Sequence, residues 1–85
     1  AQATFTNCII RNNTCGSYGA GVAIFNSTVI FNSVTVEFNT ASSAHSEGGG
    51  VYLHSSTLTR TLGSIINNTS TLGTGNLDLY LSTAP

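Results

Sequence analysis

Three carboxylates (Glu37, Glu47, Asp78), two histidines (His45, His54) and two cysteines (Cys8, Cys15) are the side chains of this 85-residue chain best suited to acid–base, nucleophilic or metal chemistry. Cleaving a polysaccharide would need carboxylates clustered on one face, as acid and base or around Ca²⁺, with a basic residue beside them. The three carboxylates fall on different segments and do not align in the repeat described below. No Ser–His–Asp or Cys–His pattern is convincing, and no histidine stands at ligand spacing from the cysteines. The expectation is no catalytic residue, no cofactor and no metal.

The composition narrows the partners. Five residues carry full charge, Lys is absent, and the net charge is −1. Arg11 and Arg60 alone cannot neutralise a phosphate backbone, so no nucleic-acid partner is expected. No apolar run reaches the ~20 residues of a membrane span. Val, Ile, Leu, Phe, Thr and Tyr are spread throughout, which predicts an all-β fold rather than disorder. The start at Ala1-Gln2 reads as a processed chain or a piece of a longer one.

Elements to position these residues emerge from self-comparison. Ile10-Arg11-Asn12-Asn13-Thr14 matches Val36-Glu37-Phe38-Asn39-Thr40 and then Ile65-Ile66-Asn67-Asn68-Thr69. A second motif follows each: Gly19-Ala20-Gly21-Val22-Ala23-Ile24, Gly48-Gly49-Gly50-Val51-Tyr52-Leu53, and a degraded Gly73-Thr74-Gly75-Asn76-Leu77-Asp78-Leu79. The units run about 3–27, 28–56 and 57–82, one module with 83–85 as a tail or linker. Period-two alternation predicts three short strands per unit, in the middle one around Val29–Phe31, Val34–Val36 and Val51–Leu53. Stacked in parallel, the units form a β-helix of about three coils. Inward columns would be Ala3/Val29/Leu58, Cys8/Val34/Gly63, Ile10/Val36/Ile65, Val22/Val51/Leu77 and Ile24/Leu53/Leu79. Arg60 falls in the inward column of Phe5 and Phe31, so the last coil is open there or its strand slips.

The repeat assigns places to the polar residues. Asn13, Asn39 and Asn68 share a corner where asparagine tolerates a left-handed backbone, and stacked carboxamides can bond as a ladder. Asn12, Asn26, Asn67 and Asn68 each begin an Asn-x-Ser/Thr glycosylation sequence. Asn68 belongs to the inward corner and should be blocked; Asn12 and Asn67 stand just before the corner, where side chains can point out, and in a eukaryotic source Asn12 and Asn26 are the first candidates. Cys8 and Cys15 flank the corner, so a disulfide and two separate buried thiols are both open readings. Phe25, His54 and Tyr80 align outward as an aromatic column, either self-stacking or facing sugar rings. His45 reads as a solvated loop residue. Arg11 and Glu37 align as a surface ion pair.

The aliphatic-x-x-Asn motif followed by Gly-Gly-x-aliphatic resembles the repeat of chlamydial polymorphic outer membrane proteins and related surface proteins, over roughly residues 3–82. That resemblance implies a right-handed parallel β-helix, the architecture also used by pectate-lyase-like enzymes. The chain departs from it at Ile10, Val36 and Ile65, which stand for Phe, and at Ala20 and Thr74.

Neither end reads as a cap, although solenoids usually need one. The expectation is therefore a non-catalytic structural module of an extracellular fibre or cell-surface coat, glycosylated and stacking head to tail on copies of itself. The first alternative is an adhesin segment of a surface β-helix protein with carbohydrate as a partner. The second is a fragment of a carbohydrate-active enzyme.

Overall fold

The computed structural model describes residues 1–16, 18–43, 47–73 and 75–84. The loop histidine His45, the Thr74 interruption and Pro85 of the tail lie outside the described residues. The described residues are all-β and contain no helix: β1 (Gln2–Thr6), β2 (Ile9–Arg11), β3 (Thr14–Cys15), β4 (Val22–Phe25), β5 (Thr28–Glu37), β6 (Thr40–Ala41), β7 (Val51–His54), β8 (Thr57–Ile66), β9 (Thr69–Ser70) and β10 (Leu77–Tyr80).

Every strand pair is parallel, and the chain visits three sheets in the same order on each of three circuits. β1 and β2 lie along one side of β5 and β8 along the other; β6 lies between β3 and β9, and β7 between β4 and β10. The sheets do not close into a barrel. The strand boundaries differ from expectation in one respect. Val29–Phe31 and Val34–Val36 belong to a single strand, β5, and the remaining sheet is the two-residue β3/β6/β9 set. Ser33, at φ 58°, shifts the inward phase within β5, so Val29 and Phe31 point in before it and Val34 and Val36 after it. A left-handed residue skips one pleat without ending the ladder.

Left-handed corners recur at equivalent places: Asn7/Ser33/Leu62, Asn12/Phe38/Asn67 and Asn26/Ser55/Leu81 all have φ between 51° and 60°. This corrects the expected corner. The positive φ falls on the residue before each ladder asparagine, not on Asn13, Asn39 or Asn68. Bulky Leu62 pays for this geometry, since its Cβ crowds the following carbonyl and its side chain is 78 % exposed. Leu62→Asn is expected to raise the unfolding free energy by about 1 kcal/mol in urea titration. A loss of stability would show that the Leu62 side chain contributes more than its backbone costs.

The interior is filled mainly by the middle circuit. Val29, Phe31, Val34, Val36, Val51 and Leu53 are buried, joined by Ile24, Leu58 and Ile65 from the neighbouring circuits. Phe5 packs edge-on against Phe31, with ring centroids 5.6 Å apart. Burial falls away at both ends. Ala3 is exposed, Leu79 is 45 % exposed, and every residue from Thr59 to Ser64 is exposed, Arg60 among them. Arg60 holds register with Phe31, so the strand does not slip; the last circuit is open at that position.

The last described residues pack onto the stack. Thr83 bridges Thr57 in parallel, the Leu58 N–H donates to the Thr83 carbonyl (2.9 Å), and Ala84 packs on the core beneath Leu58. Ser82–Ala84 lay down the start of a fourth circuit.

Candidate functional site

The corner between β5 and β6 carries a continuous hydrogen-bonded column. Asn13 Nδ2 donates to Asn39 Oδ1 at 2.9 Å, and Asn39 Nδ2 donates to Asn68 Oδ1 at 2.9 Å. Each Oδ1 also accepts the backbone N–H of the preceding rung's asparagine, at 3.0 and 2.9 Å. The spare Nδ2 hydrogens meet main-chain carbonyls: Asn39 reaches Ile10, while Asn68 reaches Val36 and Ile66. Asn39 is fully buried with both ends of its amide engaged, which is the condition for burying a carboxamide without penalty. Space for it comes from glycine. A Cβ on Gly21 would lie 3.1 Å from Asn39 Nδ2 and 2.5 Å from the Gly50 carbonyl oxygen, so no side chain fits beside the ladder.

The column does not stop at Asn68. Asn76 occupies the rung position held by Gly21 and Gly50, because the N–H groups of Val22 and Val51 donate to the carbonyls of Gly50 and Asn76 respectively. Its Oδ1 accepts from Asn68 N (2.9 Å) and Asn68 Nδ2 (3.1 Å). Asn76 thus does for Asn68 what the next rung's ladder asparagine would do. The sequence signal was present, an Asn in place of the third motif's last glycine, but it reads there as degeneration.

Serines form a second ladder, which motif comparison does not single out. Ser27 N–H donates to Ser56 Oγ (3.0 Å) and Ser56 N–H to Ser82 Oγ (2.9 Å), while each hydroxyl donates to the carbonyl two residues back, on Phe25, His54 and Tyr80. Short hydroxyls make such local turns readily. The Ser-Thr pairs at 27–28, 56–57 and 82–83 were the available clue. A polar concavity of about 640 Å³ follows this corner, lined by these serines, Asn26 and threonines, with no ionisable side chain.

The outward face of the β4/β7/β10 sheet is aromatic. His54 lies between Phe25 (5.6 Å, 28°) and Tyr80 (4.8 Å, 32°), so the rings stack along the column. Its Nδ1 is buried with no hydrogen-bond partner among the described residues. Tyr52, one column over, is buried under Tyr18 (4.7 Å, 21°) and against Phe25. Sequence reading did not bring Tyr18 and Tyr52 together, since Tyr18 stands on a loop. The ring faces are spent on one another, leaving one face of Phe25 and one of Tyr80 free at opposite ends of the column.

Two carboxylates expected to lie apart are brought together. Asp78 is in register with Tyr52, and Glu47 arrives from the loop before β7 to share a hydrogen bond with it over Gly73. Withdrawal from water, then that bond and the negative charge of Asp78, hold the Glu47 carboxyl above its ordinary value. Burial, with the Glu47 charge next, pushes the Tyr52 phenol up. A carboxyl whose folded pKa is raised stabilises below the unfolded value and loses that contribution as pH climbs through the folded one. Glu47→Gln is therefore expected to raise the thermal midpoint at pH ~7 and to leave it unchanged at pH ~3. An unchanged midpoint at both would show that the Glu47 carboxyl is not held above its ordinary value.

The remaining candidates sort by exposure. Asn12, Asn26 and Asn67 sit on exposed left-handed corners, while Asn68 is buried and its Nδ2 donates to Val36, Ile66 and Asn76. Cys8 and Cys15 are free thiols, half-buried in the Val34 and Ala41 columns, which is the second of the two readings open from sequence. Cys8 Sγ donates to the Thr6 carbonyl (3.3 Å). Arg11 and Glu37 approach to 3.6 Å on the surface, worth ~0.2–1 kcal/mol. No group of three metal-ligating side chains occurs among the described residues.

No family model, no curated protein and no solved structure matches this chain.

Proposed function

We propose that the chain is a stretch of right-handed parallel β-helix of the kind found in polymorphic outer membrane protein repeats, serving as a non-catalytic structural module of an extracellular fibre or cell-surface coat. It associates end to end and carries glycans at Asn12, Asn26 or Asn67. One observation supports this most: β1/β2 and β8 both pair with β5 in one register, and among the described residues their outer edges are unpaired at opposite ends, save where Thr83 bridges Thr57. Neither edge strand has Pro or Lys, and Arg60 is the one charge in an inward column there. A heterologous contact of this type does not close and so gives filaments. Exposed corner asparagines in a surface nearly free of charge suit a glycosylated chain.

The Glu47–Asp78 pair supports the non-catalytic reading. Carboxyls acting on a glycosidic bond stand ~5 Å or more apart with substrate between them, whereas these two bond to each other. Negative-stain microscopy with sedimentation analysis tests the reading. Fibres are expected at roughly tens of micromolar; short rods would favour the adhesin reading, and a monodisperse 85-residue monomer throughout would overturn end-to-end association.

A further inference from the structure

We propose that Asn76 is a removable cap: its carboxamide holds, at the β8/β9/β10 end, the place that Asn13 of a second copy takes when two copies stack. The proposal rests on the end-to-end reading above and says how that contact is controlled.

Three observations converge on it. First, the ladder has a direction. Every rung donates toward the C-terminal end, and the last donors, Asn68 N and Nδ2, are met by Asn76 Oδ1. At the other end Asn13 Oδ1 accepts no hydrogen bond among the described residues, although the equivalent atom of Asn39 accepts two. The two ends are complementary once Asn76 lets go. Second, the columns continue in register across such a junction. The free face of Tyr80 meets the free face of Phe25, both about half exposed, and the Thr59–Ile66 edge meets Thr4–Arg11 as β5 already does. Arg60 then lies against the ring of Phe5, a favourable cation–π placement. Third, Ser82–Ala84 already occupy the start of the fourth circuit, in line with Ala1–Ala3, since the Thr28, Thr57 and Thr83 N–H groups donate in turn to Ala1, Ser27 and Ser56. The incoming copy pairs from Thr4 onward, its first three residues displaced, and the rung is completed by two chains.

Stacking with the cap in place would set two carboxamides against the same donors of Asn68. The exchange of Asn76 for Asn13 therefore sets the concentration at which copies associate. Asn76→Gly installs the residue found at the two equivalent rungs and frees Asn68.

Sedimentation equilibrium of the 85-residue chain and its variants, with circular dichroism to confirm folding, decides the matter. Asn76→Gly should associate about tenfold more tightly than wild type, the equivalent of one or two net hydrogen bonds. Asn13→Ala, a change at the exposed opposite end, should weaken wild-type association and abolish the gain in the double variant. Should Asn76→Gly fail to fold, Asn76→Ala and the single Asn13→Ala variant carry the test. Equal association of folded wild type and Asn76 variants overturns the cap while leaving end-to-end stacking intact. So does a gain that survives Asn13→Ala. Absence of association in every variant, wild type included, overturns both.

Discussion

Asn39→Asp is expected to remove ~3–5 kcal/mol of stability at neutral pH, the cost of an uncompensated buried charge. For a domain of this size that is about half of a total of order 5–10 kcal/mol. The substitution changes one amide nitrogen to oxygen and leaves the shape intact. Asn39 Nδ2, however, donates to Asn68 Oδ1 and to the Ile10 carbonyl, and a carboxylate there would place negative oxygen against two acceptors in a fully buried site. Burial and those acceptors push the new carboxyl's pKa up. Its stabilising, protonated form is then fully present below the unfolded value of ~3.9 and lost as pH rises through the folded one. Urea midpoints at pH ~3 and ~7 should therefore diverge strongly in the variant and little in wild type. The same change at Asn13, on the exposed first rung, should cost much less. Equal losses at positions 13 and 39, or a loss in Asn39→Asp that ignores pH, would mean that the ladder is not carrying the corner.

Phe31→Ala should cost ~3–5 kcal/mol, in the range for deleting a buried phenyl ring. Phe31 is 1 % exposed, with Phe5 edge-on to one side at 5.6 Å. On the other side its column partner is Arg60, which is exposed and cannot fold inward to fill the space without burying a charge. Phe5 belongs to the short split strand β1 and could move partway into the gap, which would place the loss at the lower end of the range. Chemical denaturation measures it directly. A loss under ~1 kcal/mol would mean that the middle circuit's interior is already loose.

Asn39 and Phe31 show what can be read from spacing alone. Both sit in columns defined by sequence offsets of 26 and 29 residues, and the same offsets give the parallel register of all three sheets. The inward columns could be read from period-two alternation, and so could the outward alignment of Phe25, His54 and Tyr80. Repetition made this possible, because each position is seen three times in comparable surroundings.

Position within the stack was not legible in the same way, for it depends on what lies above and below. Equal motifs at Asn13 and Asn39 end exposed and fully buried, and Leu79 and Leu53 share a column yet differ as widely. Backbone angles decided that the left-handed corner falls on Asn12, Phe38 and Asn67, since the following asparagine needs an ordinary φ for its amide to reach the next rung. The cap by Asn76 and the meeting of Glu47 with Asp78 exist only because residues on separate segments are folded onto one corner or one face. The amino-acid order by itself determined which residues pile on which. The tertiary structure decided which of those piles are sealed and which stay open, because burial and hydrogen-bond satisfaction belong to neighbours that a linear repeat does not specify.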